Sequence, residues 1–255
     1  MENTKISIIS PSTRPDFLPI IEKCLKRQDF DGETEWIVTM PHKFIKKMTV
    51  TPSLTLEDPP KRLGDVWSLC KGWNQAYARA NGELIVNIQD GIYFEHDLLS
   101  RMWFHYQQNP RTLVGAIGHQ YSGLDDNGKP IVEVWHDPRA RTDISFQEVP
   151  PSEMEMTINS IPKQALIECG GIDEIYDTAN GAQEKEMCWR LNKMNWDFFL
   201  DHTIEYRAIK HPRLFEGWDE LYKNVTTPLF VKHMTELDNG TRTLNVNNIS
   251  KYMIK

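Results

Sequence analysis

The sequence predicts a single α/β domain whose mixed, mostly parallel sheet is covered by helices on both faces. Short β-branched runs alternate with segments of helical period through the first half of the chain, which is the pattern of parallel sheets. The chain has 255 residues, a length that suits one such domain, and 40% of them are hydrophobic. That apolar content is enough to fill a core, and it excludes wholesale disorder.

The first two strands and the helix between them follow from local patterns. Residues 6–9 form a short β-branched run that stops at the polar residues 10–13. Asp16 is expected to cap the next helix, because apolar residues recur on one helical face directly after it. Residues 36–38 predict a second buried strand, and the Pro-rich residues 58–62 predict a loop.

The middle of the chain continues the alternation of helix and strand. Apolar residues at helical spacing predict a helix over residues 66–80, and a buried strand is predicted over residues 84–88. That strand runs directly into residues 89–91, which are Gln, Asp and Gly. A further helix over residues 98–106 and a strand over residues 113–117 follow.

The second half of the chain is less regular. A hairpin is predicted to turn at residues 126–128, and residues 138–155 are polar and irregular. Residues 156–160 predict an inner strand, and a helix is predicted near residues 184–194. Residues 198–209 predict a pair of strands.

Composition and missing motifs exclude several classes of protein. The net charge of −7 argues against a protein that coats nucleic acid through one dominant basic face. No window reaches the roughly 18 apolar residues that a transmembrane helix needs. The four cysteines are far apart and form no C-x-x-C pair, so neither a zinc site nor a disulfide framework is expected from them. With no targeting segment, we expect a cytoplasmic protein with reduced thiols.

Polar residues follow two of the predicted strands at the positions where α/β proteins bind ligands. In open α/β sheets, ligands bind beyond the carboxyl ends of the strands. Residues 10–14 follow the first strand, and residues 89–91 follow the strand over 84–88. The dinucleotide pattern G-x-G-x-x-G and the phosphate-loop pattern G-x-x-x-x-G-K-[ST] are both absent. This lowers the expectation of a dinucleotide oxidoreductase or of P-loop phosphotransfer.

Four segments in a fixed order resemble the family 2-type glycosyltransferases of GT-A fold. Residues 6–14 resemble the opening strand and nucleotide loop of that family, and residues 72–83 resemble its N-x-A…A-x-G-E helix. Residues 85–91 lie where its metal-binding D-x-D stands. Residues 170–174 and then 183–191 are similar to G-G-F-D-E followed by E-D-x-x-L-x-x-R-L. The resemblance covers roughly the first 210 residues. It implies a GT-A-like domain over residues 1–212 and a partly helical C-terminal extension over residues 213–255.

The resemblance implies transfer of a sugar, with inversion, from a nucleotide-sugar, most simply a UDP-sugar, to a hydroxyl acceptor. The sequence departs from the family at two places. Gln183 replaces the Glu of the last motif, and Glu184 replaces the Asp that acts as catalytic base. In the D-x-D motif, Gln89 and Gly91 take the two Asp positions and leave Asp90 in the middle. The acid expected after the second strand is also missing.

The resemblance implies a role for each candidate site residue. Glu184 is the implied catalytic base, Asp173 and Glu174 are implied acceptor ligands, and Asp90 and His211 are implied ligands of Mg²⁺ or Mn²⁺. The implied donor-binding residues are Pro11, Ser12, Arg14, Arg62, Lys71, Asn74, Gln89, Asp90, Gly170 and Gly171. Within that set, Arg62 and Lys71 are expected to stabilise the leaving diphosphate, and the two glycines are expected to allow close backbone approach.

Simpler structural interpretations stand beside several of these roles. Glu184 at a helix start can merely complement the helix dipole, and Asp90 can be a turn residue at a strand end. The i,i+4 pair Glu186 and Arg190 is expected to be a surface or helix-bracing salt bridge. His119 and His136 have no partner suggested by spacing, so a structural role is expected for both.

Two other functions stay open. A catalytically silent relative that binds nucleotide or glycan would account for the altered D-x-D and for Gln183. A nucleotidyltransferase on a similar sheet fits less well, because no Gly-rich, Lys-bearing loop follows the first strand. The acceptor is open between surface polysaccharide, protein, lipid-linked sugar, a small metabolite and a modified nucleobase.

Overall fold

The computed structural model describes residues 4–57, 69–125, 131–179, 181–210 and 217–253. Within these ranges, ten strands form one sheet: β1 Ile6–Pro11, β2 Thr34–Met40, β3 Leu54–Glu57, β4 Leu84–Ile88, β5 Ile92–Phe94, β6 Thr112–Tyr121, β7 Glu133–Trp135, β8 Phe146–Glu148, β9 Ile158–Pro162 and β10 Asp197–Ile209. The helices of the same ranges are α1 Leu18–Leu25, α2 His42–Ile45, α3 Leu69–Arg79, α4 Leu98–Gln108, α5 Lys163–Cys169, α6 Gln183–Lys193, α7 Trp218–Leu221 and α8 Thr227–Asp238. The fold is the predicted α/β class.

The sheet places the ends of its parallel strands at one edge. Its order is β3-β2-β1-β4-β9-β6-β10-β5, with β7 paired to β6 and β8 paired to β10. Strands β1 to β4 are mutually parallel, β9 is antiparallel to both β4 and β6, and β6 is parallel to β10. Strands β1, β2, β4 and β6 therefore all end at the same side of the sheet. We call this side the carboxyl edge; it includes residues 11–14, 39–41, 89–91 and 119–121.

Helices cover both faces of the sheet, as the buried strands require. Every residue of β1 and of β4 is buried, which is the pattern of central parallel strands. Ile8 and Val86 belong to the core cluster that includes α1 and α4 residues. Ile9 and Ile85 belong to the opposite cluster, which includes α3, α5 and α6 residues. Alternate side chains of each strand thus point into two separate cores.

Several sequence predictions need correction in their local detail. Asp16 does not cap α1; a 3₁₀ turn over Pro15–Phe17 precedes the helix, and the N-cap residue Phe17 has no capping side-chain bond. Residues 198–209 form one long strand, β10, and its pairing with β6 shifts register between Asp201 and Glu205. Because that irregularity interrupts the alternation of inward and outward side chains, the sequence pattern resembles that of two separate strands. The predicted loop at 58–62, the first turn of the predicted 66–80 helix and the predicted hairpin turn at 126–128 lie outside the described residues.

A buried arginine joins α6 to two other segments of the chain. The guanidinium of Arg190 is fully buried; its Nε donates to both carboxylate oxygens of Glu186, at 2.9 and 3.0 Å. Its two terminal nitrogens donate to the backbone carbonyls of Cys169, Gly171 and Leu244. The pair braces the helix, as expected, but it lies in the core rather than on the surface. A buried ion pair of this kind is stable only because its remaining hydrogen-bonding groups are satisfied.

The C-terminal segment packs into the same core as the rest of the chain. Arg242 binds both Glu186 and Asp173, and Asn248 donates from its amide to the carbonyl of Ile172. Ile249 is 3% exposed and belongs to the α3 and α6 core cluster. The predicted boundary between residues 212 and 213 lies outside the described residues. No helix in the described part of the chain is both long and apolar enough to cross a membrane.

Replacing Arg190 by methionine is expected to destabilise the fold strongly. The substitution leaves the buried Glu186 carboxylate with less compensating charge and removes one hydrogen-bond donor from each of three backbone carbonyls. Breaking a buried pair costs about 3–5 kcal/mol. Urea unfolding of Arg190→Met measures the loss in the free energy of unfolding. The matched control is Arg141→Met, whose exposed pair with Asp143 is expected to add no measurable stability. Equal stability of the two variants would contradict the role of Arg190.

Candidate active site

The two loops that follow β1 and β4 meet at the carboxyl edge. The Ser12 hydroxyl donates to Oδ2 of Asp90 at 2.7 Å, and a guanidinium nitrogen of Arg14 lies 3.3 Å from Oδ1 of the same carboxylate. The Ser12 backbone N–H donates to the Thr39 carbonyl at the end of β2. Asp90 therefore ties the strand ends together, and the carboxylate keeps 9% of its side-chain surface exposed. The sequence-predicted residues Ser12, Arg14 and Asp90 form one cluster, which we call the Asp90 cluster.

The backbone beside Asp90 is held in a defined shape. Gly91 has a φ of 72°, in the left-handed region that favours glycine, and a Cβ there would lie 3.0 Å from the Phe17 ring. The backbone N–H of Gln89 donates to the carbonyl of Thr157, which lies just before β9. Pro11 is the buried last residue of β1. The loop after β4 thus has little freedom to move its polar groups away from the edge.

Several buried oxygens at this edge have no hydrogen-bond partner within the described chain. They include Thr13 Oγ1 after β1, Thr39 Oγ1 in β2, and Gln183 Oε1 and Glu184 Oε2 in the first turn of α6. Buried polar atoms in folded proteins are normally paired, so such a group suggests a ligand or water. Thr39 stands where the resemblance led us to expect an acid, and its hydroxyl is a candidate ligand that the sequence analysis missed.

The first turn of α3 also lies at the carboxyl edge. The Asp177 carboxylate accepts hydrogen bonds from the backbone N–H groups of Cys70 and Lys71, at 2.7 and 3.2 Å. Burial raises the pKa of Asp177, although these bonds and the nearby Lys71 charge act in the opposite direction. Lys71, a predicted donor ligand, thus has its ammonium close enough to interact with Asp177. Asp177 was not identified from the sequence, because it is 106 residues away from Lys71.

Glu184 lies in the first turn of α6, facing the start of α3. Its charge acts on the buried thiols of Cys70 and Cys188, and the charge of Glu155 acts on Glu184 in turn. Burial is the main cause that raises the pKa of the Glu184 carboxyl above its ordinary value. Its Oε2 atom is buried and has no hydrogen-bond partner among the described residues. A partly desolvated carboxylate with a free oxygen is chemically suited to accept a proton.

Glu155 connects Glu184 to the rest of the edge. It lies two residues before Thr157, whose carbonyl accepts the Gln89 amide, and its carboxylate is 3.4 Å from a guanidinium nitrogen of Arg139. Arg139 also pairs with Asp137 at 2.6 Å. Burial opposes ionisation of Asp137, but the bonds from Arg139 and from backbone amides hold its pKa below the ordinary value. No spacing in the sequence pointed to Arg139 or Glu155.

Three predicted donor ligands make close contacts within the chain itself. Both ends of the Asn74 amide bind the backbone of Ile172: Nδ2 donates to its carbonyl at 2.8 Å, and Oδ1 accepts its N–H at 2.9 Å. Asn74 is fully buried. Gly170 and Gly171 have φ values of 72° and 84° and do allow close backbone approach, as predicted. The approaching groups, however, are the backbone of Asn247 and the side chain of Asn74, not a ligand.

The predicted acceptor ligands Asp173 and Glu174 are bound by the chain itself. Asp173 caps the 3₁₀ turn over Glu174–Thr178 by accepting the Ile175 N–H, and it also pairs with Arg242. Glu174 accepts bonds from Tyr252 Oη at 2.9 Å and from Lys251 Nζ at 3.2 Å. The C-terminal segment therefore occupies these carboxylates. The sequence analysis did not predict these contacts, because it did not predict where the C-terminal residues pack.

Two predicted residues, Arg62 and His211, lie outside the described residues. At Asp90, the described groups offer one carboxylate whose partners are a hydroxyl and the Arg14 guanidinium, so a positive charge already neutralises it. This donor set fits a charge-balanced carboxylate better than a metal site. Two groups of three metal-ligating side chains do occur in the described chain: Asp173 with Glu186 and His233, and His119 with Glu133 and His136. In the first group, Arg242 already binds both carboxylates.

Known structures with the same architecture are glycosyltransferases. No protein-family model matches the chain, and no curated protein matches it in sequence. S. aureus TarS 1–349 in complex with UDP-GlcNAc aligns with a TM-score of 0.62 at 14% identity, over 91% of this chain and 66% of that one. GalNAc-T7 with UDP, GalNAc and Mn²⁺ aligns with a TM-score of 0.60 at 9% identity, over 84% of this chain and 45% of that one. This chain therefore spans less than two thirds of either.

The fold is that of GT-A-type glycosyltransferases. A second structure, S. aureus TarS 1–349 in complex with UDP, aligns over 98% of this chain and 89% of that one, with a TM-score of 0.57 at 13% identity. The GT-A-like fold expected from the four sequence segments is confirmed. At these identities the likeness establishes the architecture, and the site chemistry has to be argued from this chain's own residues.

The raised pKa of Glu184 predicts that Glu184→Gln stabilises the protein at neutral pH. A carboxyl whose pKa is raised by folding contributes stability at low pH, and this stability is lost as the pH rises through the folded pKa. The glutamine variant lacks the buried charge, so its melting temperature should exceed that of the wild type at pH 7, and the difference should vanish near pH 4. Thermal melts across this pH range measure the effect.

The control for this prediction is Glu148→Gln, at an exposed position on β8. Its melting temperature should follow the wild type at every pH. A Glu184→Gln variant that is no more stable than the wild type at pH 7 would contradict the desolvation of Glu184.

Proposed function

We propose that this chain transfers a sugar from a nucleotide-sugar, with UDP as the preferred nucleotide, to a hydroxyl acceptor with inversion at the anomeric carbon. The observation that carries the proposal concerns Glu184 at the carboxyl edge of a GT-A fold, where β1, β2 and β4 have polar ends. Its buried Oε2 has no hydrogen-bond partner in the part of the chain that the structure describes. A desolvated carboxylate of this kind is well suited to accept a proton, although it does not stabilise the fold.

Glu184 acts as the general base in this proposal. The acceptor oxygen attacks the anomeric carbon from the face opposite the diphosphate, and its proton passes to Glu184. The bond between the anomeric carbon and the diphosphate oxygen breaks, and the electron pair leaves with the nucleotide. Burial moves the pKa of Glu184 toward neutral pH, and a general base is most efficient when its pKa lies near the working pH.

The nucleotide is bound at the ends of β1 and β2. The unpartnered hydroxyls of Thr13 and Thr39 offer hydrogen bonds to the base or ribose. The Arg14 guanidinium and the Lys71 ammonium supply positive charge for the diphosphate as it leaves. Arg62 and Gln89 complete the predicted donor set, and both TarS 1–349 structures described above contain UDP or UDP-GlcNAc.

A divalent cation held by Asp90 and His211 is the alternative source of positive charge, although the described partners of Asp90 fit it less well. Mg²⁺ or Mn²⁺ bound there would neutralise charge on the diphosphate, and the GalNAc-T7 structure contains Mn²⁺. Because Arg14 already pairs with Asp90, we expect the protein to bind nucleotide with little dependence on metal.

The metal dependence is tested by calorimetry of UDP binding with and without Mn²⁺. For the wild type, we expect Mn²⁺ to change the affinity by less than about tenfold, which is about 1.4 kcal/mol. Asp90→Asn should bind UDP with an affinity close to the wild type, because the cationic groups remain. Loss of UDP binding in EDTA would instead show that a metal is essential to the site.

Glu184→Gln is expected to abolish transfer and leave nucleotide affinity nearly unchanged. Loss of a general base lowers the rate by roughly 10²–10⁴-fold. Release of UDP from a panel of UDP-sugars measures the rate, and calorimetry with UDP measures binding. The Glu148→Gln variant serves as the control, since its side chain is exposed on β8. Retained turnover in Glu184→Gln would remove the assignment of the base.

A catalytically silent binding protein is the second candidate. Its supporting observation is that Gln89 and Gly91 supply no carboxylate beside Asp90, and that Asp90 is neutralised by Arg14. UDP binding without donor hydrolysis or transfer, across the panel of UDP-sugars, would favour this function over the enzyme.

A further inference from the structure

Strands β6 and β7 form an antiparallel pair with one extra residue in β7. Gln120 pairs with Trp135, and regular pairing would then place Tyr121 opposite Val134. Tyr121 instead pairs with Glu133, so one residue of β7 is left over at Val134. Two residues of one strand opposite one residue of its partner define a β-bulge, and the extra residue changes the face to which the following side chains point.

The bulge brings three ligand-type side chains to one face of the pair. Opposite residues of an antiparallel pair point to the same face, so the register places His136 on the face of His119. Without the bulge, Glu133 and His136 would point to opposite faces, because they are three residues apart. With it, Glu133 lies opposite Tyr121, which shares the face of His119.

The side chains themselves meet on that face. The rings of His119 and His136 have centroids 4.4 Å apart, and Nδ1 of His136 lies 2.9 Å from Oε1 of Glu133. One ligand atom from each of the three residues lies within 4.8 Å of the other two. His119 is buried, and its Nδ1 lies 3.4 Å from the backbone nitrogen of Asp137, which limits the position of the ring.

The cation that the described register places opposite His119 binds elsewhere. Arg207 lies opposite His119 in β10, but its guanidinium is 2.9 Å from Glu95 and stacks over the Tyr93 ring. The other His-containing group, Asp173 with Glu186 and His233, differs because Arg242 binds both of its carboxylates. In that group, the Arg242 guanidinium already supplies the positive charge that a metal ion would bring.

We propose that His119, Glu133 and His136 form a binding site for a divalent transition metal of the zinc class. Two imidazole nitrogens and one carboxylate oxygen are a donor set for Zn²⁺, and they leave a fourth position open to water or to a substrate oxygen. The imidazoles distinguish it from the oxygen-rich sites that Mg²⁺ prefers. The site lies on β6 and β7 at the carboxyl edge and shares no residue with the Asp90 cluster. A metal bound there links β7 to β6.

Calorimetry of the full chain with Zn²⁺ alone, after treatment with a chelator, tests the proposal. We expect one Zn²⁺ per chain in the wild type and in Asp90→Asn. His119→Ala and His136→Ala should each weaken binding by at least about 100-fold, since losing even a residue that only orients a ligand costs about 10–100-fold. Titration with Co²⁺ should give the strong visible absorption of a four-coordinate site, and both variants should lose it.

The matched control is His42→Ala, which removes an exposed histidine that lies 3.0 Å from Glu57. It should bind Zn²⁺ as the wild type does. His136 is exposed, so His136→Ala should keep the wild-type melting temperature without metal. Unchanged Zn²⁺ affinity in His136→Ala, or equal losses in His42→Ala, would overturn the proposal. Because no nucleotide is present, this result is independent of whether the chain transfers sugar.

Discussion

The geometry of the carboxyl edge depends on the buried guanidinium of Arg190. Its N–H groups bind Glu186 and three backbone carbonyls in two other segments, Cys169 and Gly171 in one and Leu244 in the other. Without it, the carbonyls of Cys169, Gly171 and Leu244 would each lose a hydrogen-bond donor. Because Arg190 and Glu184 belong to the same helix, the ion pair also sets where the first turn of α6 lies. A structural interaction in the core thereby positions the Glu184 carboxyl at the carboxyl edge.

The turn over residues 170–174 is held from both sides, which explains why motif residues in it serve the fold. Asn74 of α3 and Asn248 of the C-terminal segment both donate to the Ile172 carbonyl, while Arg190 donates to the carbonyl of Gly171. Both α3 and α6 begin at the carboxyl edge, so the turn fixes the distance between their first turns. Asp177 and Glu184 lie at those first turns, and burial raises the pKa of both. The same desolvation that makes a carboxylate a stronger base lowers the stability of the fold at neutral pH.

Much of the fold and part of the site could be predicted from the sequence. Strand β4 was predicted with its observed bounds, and the polar segments predicted after β1 and β4 do meet, through the contact between Ser12 and Asp90. These features depend on hydrophobic period and on the direction of parallel strands, which are local properties. The roles of Asn74 and Glu174 were not predictable in this way, because their partners are about 100 and 78 residues away. Hydrogen bonds between such distant residues leave no periodic signal.

The sequence by itself determined the α/β class, the polar strand ends and the position of Glu184 at a helix start. Each follows from neighbours within a few turns of chain. Only the tertiary structure decided that Asp173 and Glu174 are bound by the C-terminal segment and that Thr39 is unpartnered. It alone also brought His119 beside His136, since a single extra residue in β7 changes which side chains share a face. The register of a bulged strand is set by its partner strand, so it cannot be read from local sequence.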